Sequence, residues 1–154
     1  PTISNVTLIG TDDGDAKNQG LKLREGLKGS FYNVVVTGFP KRGCQAEHDI
    51  TIGNMDNGDL SFQYSDIDNV NPFVFSASSG NDTTVTNMFS DLANNNATST
   101  TGTLVTYLSG ATGWVGTNTS AFDPTSLGTW FSAGTYRGAV NSGSDWTSMW
   151  TVDL

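Results

Sequence analysis

Asn33-Val34-Val35-Val36-Thr37-Gly38 repeats the pattern of Asn5-Val6-Thr7-Leu8-Ile9-Gly10, which lies 28 residues earlier in the chain. Each copy consists of an asparagine, four strand-forming residues and a glycine. A repeat of roughly 20–50 residues is typical of solenoids, in which successive repeats stack and add strands to the same sheet. Two copies also fit two similar strands of a β-sandwich, so that alternative stays open.

Further strands are predicted on both sides of this repeat. Gly, Ser, Thr and Asn dominate the composition, and glutamate occurs only at Glu25 and Glu47. Good helix formers are therefore rare, and the composition predicts an all-β protein with many short strands joined by tight turns. Alternating or β-branched residues predict strands at 3–9, 21–24, 31–37, 49–53, 60–64 and 73–75.

One short helix interrupts this pattern after residue 80. Apolar residues recur there at helical spacing, and Thr84 precedes them as a candidate N-cap. The asparagines that begin at Asn94 are typical of a helix end. The pattern predicts a helix at about 85–94, with an apolar stripe formed by Val85, Met88, Phe89, Leu92 and Ala93.

The chain carries a formal charge of −8, and this charge is unevenly distributed. Beyond residue 48, Arg137 is the single basic residue among many aspartates. A surface that binds nucleic-acid phosphates needs clustered Lys and Arg, so nucleic acid is not expected as a partner. No stretch approaches the ~18 consecutive apolar residues of a membrane span. Acidic, lysine-poor surfaces favour solubility and often bind Ca²⁺ outside cells.

Two parts of the chain resemble bacterial secreted parallel β-helix proteins of the pectate-lyase-like superfamily. Gly20–Gly26, followed by Phe31–Phe39, looks like a coil sequence common in that group. Tyr136–Val140, followed by Asp145–Thr151, is similar to the group's closing motif, in which a Gly-Ala strand precedes a Trp-Thr pair. The resemblance implies a right-handed parallel β-helix and a secreted or cell-surface location. It also implies that the chain is the C-terminal portion of a longer protein.

This resemblance, together with the repeat, predicts one β-solenoid domain over residues 1–154. Regular coils are expected at 1–80, and irregular coils with an aromatic C-terminal cap at 81–154. Large aromatic residues usually bury their surface. Trp130, Trp146 and Trp150 are therefore expected to seal the end of the solenoid.

Calcium is the candidate metal ion. Asp12, Asp13 and Asp15 surround a glycine, with Asn18 nearby, and closely spaced oxygen ligands are what Ca²⁺ requires. The alternative is a solvated turn in which these side chains accept hydrogen bonds from local N–H groups. A second acidic set deserves the same two interpretations and comprises Asp56, Asp59, Asp66 and Asp68.

Candidate ligand-binding residues are few. Trp114 and Tyr107 are possible platforms on which a sugar ring could stack, and Lys41 with Arg42 could hold an acidic sugar or simply form an exposed turn. The single histidine, His48, gives no hydrolase triad and no zinc site. The single cysteine, Cys44, is expected to be a small buried hydrophobe.

Two functions follow as hypotheses. The first is a non-catalytic extracellular or cell-surface module, structural or adhesive, that contacts carbohydrate or self-associates through the ends of its sheets. The second is the C-terminal part of a lyase or hydrolase that acts on acidic polysaccharide. The resemblance implies that such lyases present several carboxylates for Ca²⁺ and a basic proton acceptor on one face. The middle of this chain has aspartates but almost no basic residues.

Overall fold

The computed structural model describes residues 1–10, 17–69, 73–76, 82–99, 120–141 and 146. Short strands dominate the described part, and two α-helices and two 3-10 helices accompany them. The strands are β1 (Thr2–Ile9), β2 (Gln19–Leu23), β3 (Gly29–Thr37), β4 (Arg42–Glu47), β5 (Leu60–Gln63), β6 (Asp66–Asp68), β7 (Phe73–Ser76) and β8 (Ala97–Ser99). The helices are α1 (Asp49–Asp56), α2 (Asp82–Ser90) and the 3-10 helices Leu92–Asn94 and Pro124–Leu127.

The strands form two sheets, and the chain alternates between them. The first sheet has the order β1-β3-β6-β8, with β5 also beside β3, and the second has the order β2-β4-β7. Every described pair is parallel. This arrangement fits the predicted all-β class and does not fit an antiparallel β-sandwich.

The sequence repeat sets the register of the first sheet. Val6 lies opposite Val34, so the two copies of the repeat occupy equivalent positions in neighbouring strands, as predicted. The same alignment continues from Val36 to Ile67 and from Ile67 to Thr98. Equivalent residues of successive strands therefore stack in columns across the sheet.

One of these columns consists of residues with a left-handed backbone. Asn5, Asn33, Tyr64 and Asn95 have φ values of 58°, 56°, 51° and 53°. Asparagine is among the few non-glycine residues that tolerate this conformation, which explains why it begins both copies of the repeat. The chain bends at the same point in each strand of the first sheet, so that the strands remain in register on both sides of the bend.

The core lies between the sheets and the helices. Inward-facing side chains of the strands pack there with the buried faces of α1 and α2. Phe31 stacks on Phe62 with ring centres 4.6 Å apart, and Phe89 of α2 lies 5.3 Å from Phe62. The fully buried members of the core include Val36, Cys44, Ala46, Ile52, Leu60 and Val85.

The predicted strand at 49–53 is wrong, because this segment forms α1. Alternation would place Ile50 and Ile52 on the same face, yet Ile50 is exposed and Ile52 is buried. The helix is held by the turn that follows β2, because Asn54 donates its amide hydrogens to the carbonyls of Gly26 and Leu27 at 3.0 and 3.1 Å. These long-range contacts outweigh the local strand preference of the isoleucines.

The predicted helix at 85–94 is confirmed for the first three residues of its apolar stripe and differs at its ends. Val85, Met88 and Phe89 are buried, whereas Leu92 and Ala93 are exposed and lie in the 3-10 helix that follows. The helix α2 already begins at Asp82, so Thr84 is not its N-cap. It ends at Ser90, and the 3-10 helix Leu92–Asn94 follows after Asp91.

The expected aromatic seal is wrong for two of its three tryptophans. Trp130 is 92% exposed and Trp146 is 58% exposed. Trp150 lies outside the described residues. The described part of the C-terminal segment, residues 120–141, contacts the outer face of the first sheet instead of burying these indoles. The division into regular coils at 1–80 and a cap at 81–154 stays a prediction.

Alanine substitutions at two glycines test this packing, because they are expected to change the free energy of unfolding in opposite directions. A Cβ at Gly20 would collide with the carbonyl oxygen of Gly43 and with a methyl group of Val36, whereas a Cβ at Gly53 in α1 meets nothing within 4 Å. We expect Gly20→Ala to lower the free energy of unfolding by about 1–3 kcal/mol through overpacking. We expect Gly53→Ala to raise it by up to about 1 kcal/mol. Urea unfolding followed by circular dichroism measures both, and equal effects of the two substitutions would contradict the described packing.

Candidate functional site

Three buried charged residues, Asp66, Asp68 and Arg137, lie at the outer face of the first sheet. In β6, Ile67 points into the core, so the neighbouring side chains of Asp66 and Asp68 point outward. Outward-facing carboxylates normally lie in water, but these two residues are only 4% and 5% exposed. For Asp66 one reason is a contact with residues 120–141, here called the covering segment, whose Arg137 pairs with its carboxylate.

The covering segment is held by the asparagines of the left-handed column. Asn33 donates its amide hydrogen to the carbonyl of Phe122 and accepts a hydrogen bond from the N–H of Phe122, both at 2.8 Å. Asn5 donates to the carbonyls of Tyr136 and Gly138 at 2.7 and 3.2 Å. The two side chains thus replace backbone partners that the covering segment would otherwise find in a sheet.

Backbone and aromatic contacts complete this attachment. The N–H of Gly138 donates to the carbonyl of Asn33 at 2.7 Å, and the N–H of Ala139 donates to the hydroxyl of Thr7 at 2.8 Å. The ring of Phe122 stacks on Tyr32 with ring centres 4.2 Å apart. The covering segment therefore combines apolar burial with satisfied hydrogen bonds.

Arg137 joins the covering segment to the acidic strand. Its side chain is fully buried, and its Nη1 forms an ion pair with Asp66 Oδ1. Its Nη2 donates to the carbonyl of Asn95, and its Nε donates to the carbonyl of Ser120 at 2.7 Å. The guanidinium thus connects the two ends of the covering segment to β6 and to the left-handed residue that precedes β8. A planar group with five donors suits such a junction.

Burial dominates the electrostatics of this ion pair. Desolvation raises the pKa of Asp66 to about 6, although the positive charge and hydrogen bond of Arg137 lower it; the negative charge of Asp68 adds a smaller upward shift. The second oxygen of Asp66 is buried without a hydrogen-bond partner among the described residues. A carboxylate with such a pKa titrates near neutral pH, which is a property of catalytic groups and of buried structural networks alike.

The two candidate calcium sets have different outcomes. Asp12, Asp13 and Asp15 lie outside the described residues, so a calcium site there stays a prediction. The backbone carbonyl of Asn18 accepts a hydrogen bond from the N–H of Lys41 at 3.0 Å.

The second acidic set does not form one site. Asp56 accepts a hydrogen bond from Thr84, Asp59 pairs with Lys28 at 2.7 Å, and Asp66 pairs with Arg137. In the part of the chain that the structure describes, no three His, Cys, Asp or Glu side chains are grouped as metal ligands.

The candidate ligand residues are only partly described. Trp114 and Tyr107 lie outside the described ranges, so their role as platforms stays a prediction. Lys41 and Arg42 are half-buried at the start of β4, and Arg42 Nε is buried without a partner among the described residues. The structure brings neither residue to the Asp66 ion pair.

The single histidine and the single cysteine have structural environments. His48 precedes α1 with a left-handed backbone, and its Nδ1 accepts a hydrogen bond from the N–H of Glu25 at 3.2 Å. Glu25 itself has φ 58°, so it lies in a turn and not in the strand that contains Leu23. Cys44 is fully buried, and burial raises the pKa of its thiol to about 12, which confirms its role as a small hydrophobe.

Sequence reasoning missed the ion pair between Asp66 and Arg137. Two signals were present: Arg137 is the one basic residue after residue 48, and Asp66-Ile67-Asp68 alternates charged and apolar residues as a strand does. The pairing itself spans 71 residues and could be read only from the tertiary structure.

The parallel pairing of all described strands, with a constant register in the first sheet, defines an all-β protein built from parallel sheets. A comparison with protein families then identifies the family. The model of the pectate-lyase like beta helix domain matches residues 1–151. The chain belongs to this family. No curated protein and no solved structure matches it. Among the described helices, none is long and apolar enough to span a membrane.

The raised pKa of Asp66 makes stability depend on pH. Its pKa is higher in the folded protein, at about 6, than the ordinary value of 3.8, so the folded state binds more protons between these values. The contribution of Asp66 to the free energy of unfolding is therefore fully present below pH ~4. It falls by about 3 kcal/mol as the pH rises through about 6.

Urea unfolding between pH 4 and 7 measures this effect, with Asp66→Asn as the test variant and Asp56→Asn as the control. Asp56 is an exposed aspartate, and asparagine can still accept its hydrogen bond from Thr84. We expect Asp66→Asn to lose this part of the pH dependence and the control to keep it. An unchanged slope in Asp66→Asn would show that Asp66 does not titrate in this range.

Proposed function

We propose that this chain is a structural module of a right-handed parallel β-helix that acts outside the cell and is not catalytic. The observation that carries this proposal is that Arg137 of the covering segment forms a buried ion pair with Asp66 on the outer face of the first sheet, beside the buried Asp68. These are the described groups best suited to acid–base or ion-binding chemistry, and they are buried in contacts that hold the chain together. A polysaccharide has no access to them in this arrangement.

The contacts of the covering segment support a mechanical role. They reach Asn5 in β1, Asn33 in β3, Asp66 in β6 and Asn95 just before β8. One segment thus ties together four successive strands of the same sheet. A parallel stack in which each strand contacts only its neighbours gains cooperativity from such a long-range tie.

The right-handed solenoid is supported by the topology and by the family. Consecutive parallel strands of one sheet connect with right-handed crossovers in nearly all proteins. The first sheet shows the constant register of stacked coils, and α1 and α2 contact each other on the remaining side. The acidic surface, with a formal charge of −8, suits a secreted or cell-surface protein.

Self-association through the sheet ends and contact with carbohydrate are the two functions proposed for this module. Among the described strands, β1 pairs only with β3 and β2 only with β4, so each presents a second edge for another chain. Trp130, almost fully exposed on the covering segment, is the described aromatic residue best placed to stack on a sugar ring.

A second candidate function is favoured by the same charged groups. Carboxylates and a guanidinium meet on one face of a parallel sheet, and Asp66 has a pKa near neutral. Groups with such shifts are frequent at active sites. The chain would then be part of a polysaccharide lyase or hydrolase whose remaining groups come from other coils. This candidate requires the covering segment to leave the face, since Asp66 is otherwise closed to substrate.

An activity assay combined with electron microscopy separates the two candidates. We expect polygalacturonate incubated with the purified protein to give no unsaturated uronide or reducing ends, with or without Ca²⁺. Micrographs and the intact mass then distinguish regular filaments from single particles. Product formation that is lost in Asp66→Asn, with the fold retained in unfolding curves, would overturn the structural proposal and favour the lyase or hydrolase.

A double-mutant cycle tests whether Arg137 and Asp66 act as a structural pair. We expect Arg137→Met alone to lower the free energy of unfolding by about 3–5 kcal/mol at pH 7, because it leaves a buried carboxyl group without its partner. Arg137→Met combined with Asp66→Val should lose less than the sum of the single substitutions, with a coupling of about 0.5–3 kcal/mol. Additive losses would show that the two side chains do not stabilise each other.

A further inference from the structure

Two tryptophans differ from the other aromatic residues in the described part of the chain. Trp130, in the covering segment, is 92% exposed, and Trp146, just beyond that segment, is 58% exposed. The phenylalanines and tyrosines whose side chains the structure describes are buried or half-buried. Large aromatic residues usually bury their surface, so two exposed indoles in one region of the chain are candidates for ligand contact.

The indole of Trp146 is exposed and yet held in place. Its Nε1 donates a hydrogen bond to the carbonyl of Ala139 at 2.8 Å. A tryptophan N–H normally finds such a partner when the ring is buried, whereas here more than half of the residue stays exposed. The bond fixes the N–H edge of the ring toward the protein and leaves carbon surface open to solvent.

The residue that accepts this hydrogen bond is itself fixed to the first sheet. The N–H of Ala139 donates to the hydroxyl of Thr7 in β1 at 2.8 Å. The N–H of the preceding Gly138 donates to the carbonyl of Asn33 in β3 at 2.7 Å, and a Cβ at Gly138 would lie 2.6 Å from the hydroxyl of Thr7. The close contact with β1 and β3 therefore orients Trp146.

An oriented aromatic ring suits a ligand that stacks on it. A ring that already has its bound geometry loses little conformational freedom on binding, so more of the contact energy appears as affinity. Tryptophan also provides a large contact area with few rotatable bonds. Trp130 offers a second and larger exposed surface in the same region of the chain.

The charges in this region disfavour an acidic ligand. Arg137 is the one basic residue after residue 48, and it is fully buried in an ion pair. Asp123 is exposed, and Asp145 directly precedes Trp146 in the sequence. The exposed residues at 124–141 are all uncharged. An acidic saccharide would therefore meet carboxylates and no available basic group from this part of the chain.

A protein partner also fits this surface less well than a saccharide does. The core of a stable protein interface contains several large apolar side chains that are buried together. The exposed residues at 124–141 other than Trp130 are Ser, Thr, Gly, Ala and Asn. Isolated aromatic faces among small hydroxyl side chains match the alternation of C–H and hydroxyl groups on a sugar ring.

We propose that Trp130 and Trp146 are stacking platforms for a neutral saccharide. The inference rests on the proposed carbohydrate contact of this module, and it names the ligand class and the second platform. The C–H face of a sugar ring covers each indole, and the exposed hydroxyls of Thr129 and Ser132 beside Trp130 bond sugar hydroxyls.

Isothermal titration of the purified chain with cellohexaose, xylohexaose and mannohexaose tests the proposal, and hexagalacturonate is the acidic comparison. We expect at least one neutral hexasaccharide to bind about tenfold more tightly than hexagalacturonate. Its affinity should stay constant as the salt concentration rises, because stacking involves no charge.

The protein variants separate stacking from general apolar contact. We expect Trp130→Ala and Trp146→Ala each to weaken binding about three- to tenfold. Trp146→Phe keeps a ring but loses the hydrogen bond to Ala139, so its loss should be smaller than that of Trp146→Ala. Leu92→Ala is the control, because Leu92 is 89% exposed but lies in a 3-10 helix outside the covering segment. It should bind as the parent chain does.

Four results would overturn the inference. They are no binding of any neutral hexasaccharide, equal or tighter binding of hexagalacturonate, an equal loss in Leu92→Ala and Trp146→Ala, and light scattering that shows self-association lost in the tryptophan variants. The last result would assign the indoles to a contact between chains. Unfolding curves verify that each variant is folded. Failure of the structural module is a separate outcome, because it is measured by product formation from polygalacturonate.

Discussion

The left-handed bend at Asn5, Asn33, Tyr64 and Asn95 is the constraint on which the rest of the first sheet depends. In a regular strand, residues three apart face opposite sides, yet Phe31 and Val34 both pack in the core. The left-handed residue between them shifts the alternation by one position. Because every strand makes the shift at the same point, the inward columns stay apolar and the parallel hydrogen bonds continue beyond the bend.

This shift also determines where the polar groups lie. It places Asp66 and Asp68 on the outer face, and it frees the amides of Asn5 and Asn33 to bond the covering segment. A charged strand and a line of side-chain donors thus meet the same segment. The buried ion pair of Arg137 with Asp66 connects this charged strand to the covering segment.

The burial of Asp66, Asp68 and Arg137 limits which functions this face of the sheet can serve. The family defines a scaffold, and a scaffold alone does not assign activity. In this chain the outer face is occupied by its own C-terminal part. An open groove in the described residues lies elsewhere, beside β5, where the strand pattern is interrupted by a 3-10 helix.

The sequence by itself determined the strand content, the equivalence of the two Asn-to-Gly copies and the apolar stripe of α2. These features depend on local preferences and on short periods, which a single chain displays directly. It did not reveal that 49–53 is helical, because Asn54 and the turn at Gly26 meet only after folding. Nor did it reveal the covering segment, whose contacts join residues that lie up to 133 positions apart. Burial and pairing of charges are properties of the three-dimensional neighbourhood, so only the tertiary structure decided that Asp66 and Arg137 form a buried ion pair.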